Sequence, residues 1–521
     1  MLKRMRSFLV LVMLFITVTM SAQVTTATMS GKVTAQDEPI IGATIVAVHE
    51  PSGTRYGTVT NVSGQFNLQG MRTGGPYKVE ISYVGYQTAI YKGINLLLGE
   101  NYVLNVSLKE SSELLDEVVV TASKESNMKS DRAGAIMNAN RDMISNTPTI
   151  SRSISDIMRL SPQGADVGNG FAVGGGNYRQ SFVTVDGAAF NNTFGLGGNL
   201  PANGSPISLD ALEQVTVAVT PFDVRQSGFT GGAINAVTRS GDNQFRGTVY
   251  GYFNNENLRG DKVEDYKLTR SKSQYYTYGA SFGGPIIKDK LFFFVNGEYE
   301  DNVTAGSSYQ PRTSLDQEYT GNVRRPVENT IVDGNETWVG LNDMRQYLKE
   351  KYNYDPGRYN NYSVNTPAYR IMARLDWNAN LNNKLSLRFT KTHTKDSNFH
   401  QVSTSPLSAD DIYPGDTGLG IPKGKDSGRS TKYSMSFENS NYYQVRDFTS
   451  VAGEWNSRFA NGAMNNMLRF AYSYQNEPRE YDGNPFPTVD ILKDGASYAG
   501  FGMDVFTQGN LRKIFSIYSN G

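Results

Sequence analysis

The chain has 521 residues, too many for one domain, and its 50 basic and 50 acidic side chains give a net charge of zero. Bulk charge therefore gives no reason to expect a nucleic-acid partner. The absence of cysteine excludes disulfides, thiol chemistry, cysteine zinc sites and a lipidated N-terminal cysteine. The 52 glycines, 31 tyrosines and 25 phenylalanines, with only 19% charged residues, favour a mainly β fold with many turns.

Residues 1–22 have the pattern of a secretory signal peptide. Three basic residues precede an apolar run from Phe8 to Met20, and a small-residue cleavage site follows, with cleavage expected after Ala22. The alternative is a membrane anchor, but about 13 apolar residues fall short of the roughly 20 that span a bilayer. We therefore expect export from the cytoplasm.

Residues 23–109 contain short alternating strands with turn signals about ten residues apart, which predicts a small β-sandwich. The motifs are PIIGATI from Pro39, GTVTNVSGQFNL from Gly57 and YVGY from Tyr83. In this order they resemble the carboxypeptidase-regulatory-like domain, a carbohydrate-binding-like fold. The resemblance implies a module without catalysis. In Bacteroidetes outer-membrane receptors this module often precedes the plug, the domain that fills the barrel. We expect a rigid periplasmic spacer, and sugar binding stays open.

Residues 110–132 form a polar linker that contains one β-branched run. Such a run exposes strand-forming backbone. It is either an edge strand of a neighbouring domain or a segment that adds a strand to a partner's sheet. The sequence DEVVVTA resembles the TonB box of TonB-dependent outer-membrane receptors. The resemblance implies a periplasmic TonB-type energy-transducing partner, contacted by Glu117, Val118, Val119, Val120, Thr121 and Ala122.

Residues 133–241 predict an α+β unit. The apolar spacing of Ser151–Leu160 predicts a short helix capped by Ser151, a strand runs from Tyr178 into Asp186, and a helix-to-strand step covers Leu209–Val217. The glycine-rich stretch 168–176 lacks the spacing, the lysine and the βαβ context of a nucleotide site. These motifs, in this order, resemble the plug domain of TonB-dependent receptors.

The loop that follows residue 190 is rich in asparagine, glycine and proline. By the resemblance it points toward an extracellular ligand chamber. We expect ligand contact from Asn191, Asn192 and Phe194, and the alternative role of these residues is loop packing.

The stretch Pro221–Gly241 alternates from Ala233 to Thr238, which predicts a half-buried strand in a strand pair. Glycines are expected where the backbone needs a positive φ or a close approach, at Gly228, Gly231, Gly232 and Gly241. The stretch resembles the end of the plug in the Oar-like branch of the family. The resemblance implies that the chain passes here from the plug into a barrel wall.

Residues 242–521 show the alternation of membrane β-strands, joined by alternately short and long connections. The short connections are expected in the periplasm and the long ones outside the cell, with Lys432–Glu438 as a hairpin arm inside a loop. The stretch GGPIIKDKLFFF from Gly283 resembles the Oar-like barrel. Strands are predicted at 245–253, 275–282, 291–299, 369–377, 385–391, 448–459 and 467–474, with an eighth starting in 511–518.

Eight strands leave no room for a plug, because a barrel of that size is filled by its own side chains, whereas plugged transporters have about 22 strands. We therefore expect a C-terminally truncated fragment. The predicted fold is mainly β: a β-sandwich, an α+β plug and an incomplete antiparallel transmembrane β-barrel.

The resemblance implies a transporter of the Gram-negative outer membrane, in contact with lipid, with its N-terminal domain in the periplasm. It would import a large unidentified ligand, such as a glycan, a peptide or a metal chelate, by energy-coupled gating. We expect no catalytic residues, cofactor or metal site, and no nucleic-acid partner. The alternative is a surface adhesin or carbohydrate-binding protein without transport.

Overall fold

The computed structural model describes most of the chain from residue 25 onward. The signal peptide predicted at 1–22 lies outside the described residues. Apart from a few single residues and pairs, the described ranges are 25–110, 118–121, 136–149, 152–167, 170–192, 206–219, 231–258, 272–320, 322–398, 434–459, 464–481, 486–493, 496–503 and 515–518.

The N-terminal unit is a β-sandwich with its own core. Its strands are β1 (Ala27–Ala35), β2 (Glu38–Pro39), β3 (Thr44–His49), β4 (Thr54–Val59), β5 (Gln65–Met71), β6 (Gly74–Ser82), β7 (Ala89–Leu96), β8 (Asn101–Val103) and β9 (Val106–Ser107). One sheet has the order β2-β1-β5, with β8 and β9 beside β1, and the other has the order β7-β6-β3-β4. Alternate side chains such as Ile45, Leu68 and Tyr77 are fully buried between the sheets, each stabilising the fold by about 1.5–3 kcal/mol.

His49 is a buried titratable group in this core. Its Nδ1 atom lies 2.7 Å from Ser52 Oγ, and its ring meets Tyr77 edge-on at 5.0 Å. Burial, assisted by the positive charge of Arg72, lowers the pKa of His49 to about 2. The folded sandwich therefore holds this imidazole neutral, whereas the unfolded chain protonates it below pH 6.5.

Acidification is expected to destabilise the sandwich through His49. Because the folded pKa lies below the unfolded one, the contribution is complete above pH 6.5 and declines as the pH falls below it. The local free energy of unfolding should drop by about 2 kcal/mol between pH 7 and pH 5, measured by hydrogen exchange in β3 and β6 of the whole chain, because residues far along the chain such as Arg374 line the same cavity as His49. The His49→Gln variant should lose this part of the slope, and an unchanged slope would contradict the assignment.

The second unit combines a mixed sheet with short helices. Its elements are β11 (Ile136–Asn140), α1 (Arg141–Asn146), α2 (Ile154–Met158), β12 (Gly164–Asp166), β13 (Phe171–Val173), β14 (Phe182–Val185), β15 (Ala188–Ala189), β16 (Leu212–Ala218) and β17 (Ala233–Thr238); the strand β10 (Val118–Thr121) precedes them. The main sheet has the order β11-β16-β17-β14-β15. Short 3-10 turns at Tyr178–Gln180 and Leu209–Ala211 lead toward β14 and β16.

The helix predicted at Ser151–Leu160 is shorter and capped elsewhere. It starts at Ile154, and Asp156 accepts a hydrogen bond from Ser153 N at 3.3 Å. The N-cap is therefore Ser153, so the prediction of Ser151, which lies outside the described residues, is wrong. The carboxylate at the third helical position satisfies a backbone donor that would otherwise lack a partner.

The strand β17 is the centre of the sheet, which corrects the prediction of a half-buried hairpin strand. All six residues are buried, and β17 pairs antiparallel with β16 and parallel with β14. Its polar members find partners inside, as Asn235 Oδ1 does by accepting from Thr184 Oγ1 at 2.7 Å. Each of its two buried faces carries one polar residue, Asn235 on one and Thr238 on the other.

Three glycines of the stretch Pro221–Gly241 fit the prediction of close backbone approach. A Cβ on Gly232 would lie 2.4 Å from Val173, one on Gly241 2.3 Å from Phe293 O, and one on Gly231 3.2 Å from Gln180. None of the three has a positive φ. Gly228 lies outside the described residues.

The third unit is a long antiparallel sheet, which we call the wall, together with short strands and one α-helix in the connections between the wall strands. Its elements are β18 (Arg246–Asn255), β19 (Lys262–Val263), β20 (Tyr266–Lys267), β21 (Gln274–Ile287), β22 (Leu291–Ala305), β23 (Gln310–Arg312), β24 (Val323–Val327), β25 (Ile331–Asp333), β26 (Glu336–Trp338), α3 (Leu341–Tyr352), β27 (Ser363–Asn365), β28 (Ala368–Asn378), β29 (Asn383–Asn398), β30 (Met435–Ser436), β31 (Tyr442–Phe459), β32 (Met464–Asn476), β33 (Arg479–Glu480), β34 (Phe486–Lys493), β35 (Ala496–Met503) and β36 (Phe515–Tyr518).

The wall consists of the seven complete strands that the alternation predicts. They follow in the order β18-β21-β22-β28-β29-β31-β32, each antiparallel to the next. Among the described residues, the outer strands β18 and β32 do not pair with each other, so the wall stays open. Among these residues, too, no helix has both the length and the apolar character needed to cross a bilayer.

Side chains along the wall alternate between two environments. On β22, Phe292, Phe294 and Glu298 are buried, whereas Val295 and Tyr299 are 42% and 46% exposed. This is the period-two pattern of a membrane strand, in which the exposed face of β22 is apolar and the opposite face carries both apolar and polar side chains.

The eighth wall strand predicted in 511–518 is wrong. The strand β36 pairs parallel with β34, in a small sheet of order β30-β35-β34-β36, whereas an up-and-down wall needs antiparallel neighbours. The open edge of β34 takes up its backbone hydrogen bonds instead. The described part of the segment Lys432–Glu438, residues 434–438, lies outside the wall as predicted, but its strand β30 pairs parallel with β35 rather than forming a hairpin arm.

Candidate functional site

The second unit packs against the lumen side of the wall. One continuous apolar cluster joins its core to Phe294, Met372, Phe448 and Ala452 of the wall. The ring of Phe190 lies 4.6 Å from that of Phe448. The unit thus occupies the position of a plug, and polar contacts decide how firmly it is held.

The first polar cluster centres on Asp186, in the turn after β14. Its carboxylate accepts from Thr238 N at 2.9 Å and from Thr238 Oγ1 at 2.6 Å, which joins the ends of β14 and β17. Two wall arginines face the same carboxylate, Arg374 at 3.4 Å and Arg388 at 3.7 Å. One plug carboxylate thus meets two guanidinium groups of the wall.

Each arginine also reaches plug backbone. Arg374 Nη1 donates to Thr238 O at 2.9 Å, and its other nitrogens pair with Asp376 on the same strand. Arg388 Nη1 donates to Val185 O at 2.7 Å, and Nη2 donates to Ser450 Oγ at 3.0 Å. Both side chains are largely buried, so water does not screen these bonds well. We call Asp186, Thr238, Arg374 and Arg388 the Asp186 latch.

The second polar cluster centres on Glu298 of β22. Its carboxylate accepts from Ser208 Oγ of the plug at 2.9 Å, from Tyr250 OH at 2.6 Å and from Arg370 Nη1 at 3.0 Å. Arg370 also binds Glu300 at 2.9 Å. The guanidinium of Arg152 in the plug stacks over the Tyr252 ring at 4.4 Å, which adds a second plug contact nearby.

The sandwich closes the site from the other end. Gln214 of the plug donates to Leu96 O at 3.1 Å and accepts from Leu98 N at 2.8 Å. Arg72 donates to Gly241 O at 3.1 Å, and Asn378 of the wall donates to Thr54 Oγ1 at 2.9 Å. The sandwich is therefore bound to both of the other units.

Residues of all three units line a partly open cavity of about 290 Å³. The sandwich contributes His49 and Arg72, the plug Glu213 and Arg239, and the wall Lys384 and Glu454. Charges of both signs line it, and it lies beside the Asp186 latch. Movement of the plug away from the wall would enlarge this space.

The predicted partner segment lies on the sandwich. Val118–Thr121 forms β10, parallel to β7, in the register Val118 to Ala89 through Thr121 to Lys92. It is the outermost strand of the sheet β10-β7-β6-β3-β4. This is the position of an edge strand of a neighbouring domain, the alternative that the sequence left open. Glu117 and Ala122 lie outside the described residues.

The predicted ligand residues have mixed positions. Asn191 accepts from Val183 N at 2.7 Å and donates to Ser181 O at 2.9 Å, bonds that hold the β14–β15 hairpin. Asn192 donates to Glu477 of the wall at 3.4 Å, and Phe194 lies outside the described residues. The geometry of Asn191 fits the alternative role of loop packing.

Sequence reasoning missed the wall residues of both polar clusters. Arg374, Arg388 and Glu298 are charged residues at inward positions of strands whose outward positions are apolar, such as Leu375 and Leu387. That pattern, a charge within a membrane strand, is a usable signal for a lumen contact. In the described part of the chain, no group of three or more histidine and carboxylate side chains could hold a metal ion.

Comparison with known families identifies two regions. Residues 237–512 match the outer membrane beta barrel domain, and residues 28–109 match the carboxypeptidase regulatory-like domain.

Individual relatives are named as transporters and receptors. The TonB-dependent transporter Oar of Myxococcus xanthus is 25% identical over 300 residues, which cover 55% of this chain and 26% of the relative. The TonB-dependent receptor SusC of Bacteroides thetaiotaomicron is 29% identical over 281 residues, covering 51% of this chain and 26% of the relative. The chain thus spans about a quarter of the length of these relatives.

Two solved structures of transporters align with part of this chain. The outer membrane transporter YddB from Escherichia coli aligns with a TM-score of 0.44 at 10% identity, covering 71% of this chain and 43% of that one. The ferric citrate transporter FecA in its unliganded form aligns with a TM-score of 0.34 at 14% identity, covering 68% and 49%.

Proposed function

Because the chain belongs to the outer-membrane β-barrel family, as an Oar-like TonB-dependent receptor with an N-terminal carboxypeptidase regulatory-like domain, we propose that it imports a large ligand by energy-coupled gating. Its location is the outer membrane of a Gram-negative cell. We assign residues 23–109 to the periplasmic sandwich, 110–132 to the linker, 133–241 to the plug and 242–521 to the wall.

The observation that carries the proposal is a plug held on the lumen side of a membrane wall by buried charged contacts. Breaking one partner of a buried ion pair costs about 3–5 kcal/mol, so the Asp186 latch keeps the plug in place without an external force. The plug remains releasable, because in the described part of the chain none of its strands pairs with a strand of the wall, and only side-chain contacts hold the two together.

The proposed cycle has three steps and no chemical reaction. A ligand docks on the extracellular connections and the plug. The segment Glu117–Ala122 then binds a periplasmic TonB-type protein by strand addition. Pulling on this segment moves the plug, and the ligand passes the wall.

The ligand class stays open among glycans, peptides and metal chelates. Asn192 and Phe194 remain proposed contacts, whereas Asn191 is proposed to position their loop. The outer connections carry a folded aromatic cluster, in which the rings of Tyr354 and Phe486 stack at 4.0 Å. This cluster gives the outer surface a fixed shape that a ligand could meet.

Deleting Glu117–Ala122 is expected to abolish uptake while binding at the cell surface is retained, because the deletion removes the partner contact and leaves the outer surface intact. Growth tests on glycans, peptides and iron chelates first identify a substrate, and labelled substrate then measures binding and uptake. Deletion of Lys124–Lys129, six residues of the same linker, is the matched control. Unchanged uptake without Glu117–Ala122 would exclude energy coupling through this segment, whereas the adhesin alternative predicts surface binding without uptake already in the unmodified receptor.

A further inference from the structure

The sandwich lies at the end of the wall where short connections join the wall strands. Asn378, the last residue of β28, donates to Thr54 Oγ1 at 2.9 Å. Lys384, near the start of β29, holds its Nζ atom 3.9 Å from the centroid of the Tyr56 ring. This is the end of the wall that we expect in the periplasm, so a ligand that passes through the receptor would leave beside the sandwich.

The first residues of the sandwich reach the inner side of the wall. Thr25 Oγ1 accepts from Arg469 Nη2 at 2.6 Å and donates to the carboxylate of Glu454. These two wall residues form a largely buried ion pair at 2.8 Å. A Cβ on Gly187, in the turn that carries Asp186, would lie 2.9 Å from Arg469 Cδ. The sandwich, the wall and the Asp186 latch therefore meet at one place.

The sandwich also restrains the plug. The amide of Gln214 in β16 is 3% exposed, and its oxygen and nitrogen both bind backbone of the sandwich, at Leu98 and Leu96. Leu98 packs against Val237 of β17 in a buried apolar pair. A shift of the plug sheet with the sandwich in place would break these hydrogen bonds and leave a buried amide without partners, which is unfavourable.

The sandwich can separate from the other units without losing its own core. That core consists of side chains from Ala27 to Leu108, whereas the plug and the wall share one apolar cluster. In the described part of the chain, the buried apolar clusters join the sandwich to another unit only through Leu98 and Val237. The remaining contacts are polar, and polar interfaces between domains permit relative motion.

We infer that the sandwich is a second gate, which closes the periplasmic end of the receptor and holds the plug against the wall until it detaches. The inference rests on the proposed function and gives the sandwich a function beyond that of a rigid spacer. Pulling on the plug then has two restraints to overcome, the Asp186 latch on the inner side of the wall and the sandwich below it.

A disulfide between Gly70→Cys and Asn456→Cys would lock the sandwich onto the wall. A Cβ on Gly70 would lie 3.9 Å from Asn456 Cβ, a separation that suits a disulfide, and the chain has no native cysteine. Because φ at Gly70 is 67°, Gly70→Cys alone controls for backbone strain. The control disulfide joins Thr44→Cys and Val59→Cys, two exposed positions that face each other in the β3–β4 ladder within the sandwich.

We expect both pairs to cross-link on oxidation of the receptor in its own outer membrane. The disulfide between positions 70 and 456, and not the control disulfide, should slow hydrogen exchange in β16 at least tenfold, with recovery after reduction. It should also lower uptake at least tenfold while binding at the cell surface is retained. Uptake is followed with the labelled glycan, peptide or iron chelate on which the growth tests succeed.

Three results would overturn the gate. One is a control pair that cross-links while positions 70 and 456 do not, because the sandwich then does not lie against the wall. The others are equal exchange in β16 in both redox states, and equal uptake of a compound that the reduced receptor imports. If the unmodified receptor imports none of the compounds, the proposed function fails, whereas exchange in β16 still decides whether the sandwich restrains the plug.

Discussion

Replacing Asp186 with asparagine is expected to release the plug from the wall. Asparagine tolerates the left-handed conformation found at this position, where φ is 47°, so the turn itself should persist. The substitution removes the carboxylate that faces Arg388, a side chain that is almost fully buried. Loss of one partner from a buried pair costs about 3–5 kcal/mol.

That cost predicts at least a hundredfold larger population of receptors with an undocked plug, since about 1.4 kcal/mol corresponds to a factor of ten. Hydrogen exchange in β14 and β17 should accelerate accordingly, and cells should become more sensitive to antibiotics too large for porins. The Asp166→Asn variant is the control, because its partner Arg159 is 48% exposed and such pairs contribute about 0–1 kcal/mol. Equal exchange rates in both variants would show that the latch does not hold the plug.

The period-two pattern of the wall was readable because lipid imposes it. Positions that face lipid are apolar, so strands such as β22 and β28 can be predicted from the alternation of their side chains. The helix α3 escaped notice within a long polar connection, although Leu341, Met344 and Leu348 occupy one buried face. The buried face packs against side chains of other connections, such as Phe437 and Phe501. The sequence of the helix alone does not identify these partners.

The candidate site was predictable only in part, for a related reason. The sequence placed Asp186 only at the end of a predicted strand, and its role depends on Arg374 and Arg388, about 200 residues away in sequence. Such long-range pairings follow from the register of the wall against the plug, which local patterns do not contain. The pairing of Val118–Thr121 with β7 is similar: the pattern identified a strand that adds to a sheet, and the fold decided which sheet.

Replacing Gly241 with alanine is expected to block assembly of the receptor at the point where the plug passes into the wall. The new Cβ would lie 2.3 Å from Phe293 O and 2.7 Å from Gly284 O. These two residues are directly paired in the β21–β22 ladder, so neither carbonyl can move away without breaking hydrogen bonds of the wall. The contact of Arg72 with Gly241 O would be displaced as well.

The expected result is at least a tenfold decrease in folded receptor in the outer membrane, measured by heat-modifiable mobility on gels. Overpacking in a protein core commonly costs about 1–3 kcal/mol when side chains can adjust, and here the obstructing atoms are backbone. Gly260→Ala is the matched control, because a Cβ at that position meets no described atom within 4 Å. Normal levels of folded Gly241→Ala receptor would mean that the backbone at Gly241 can shift away from β21 and β22 despite its close packing against them.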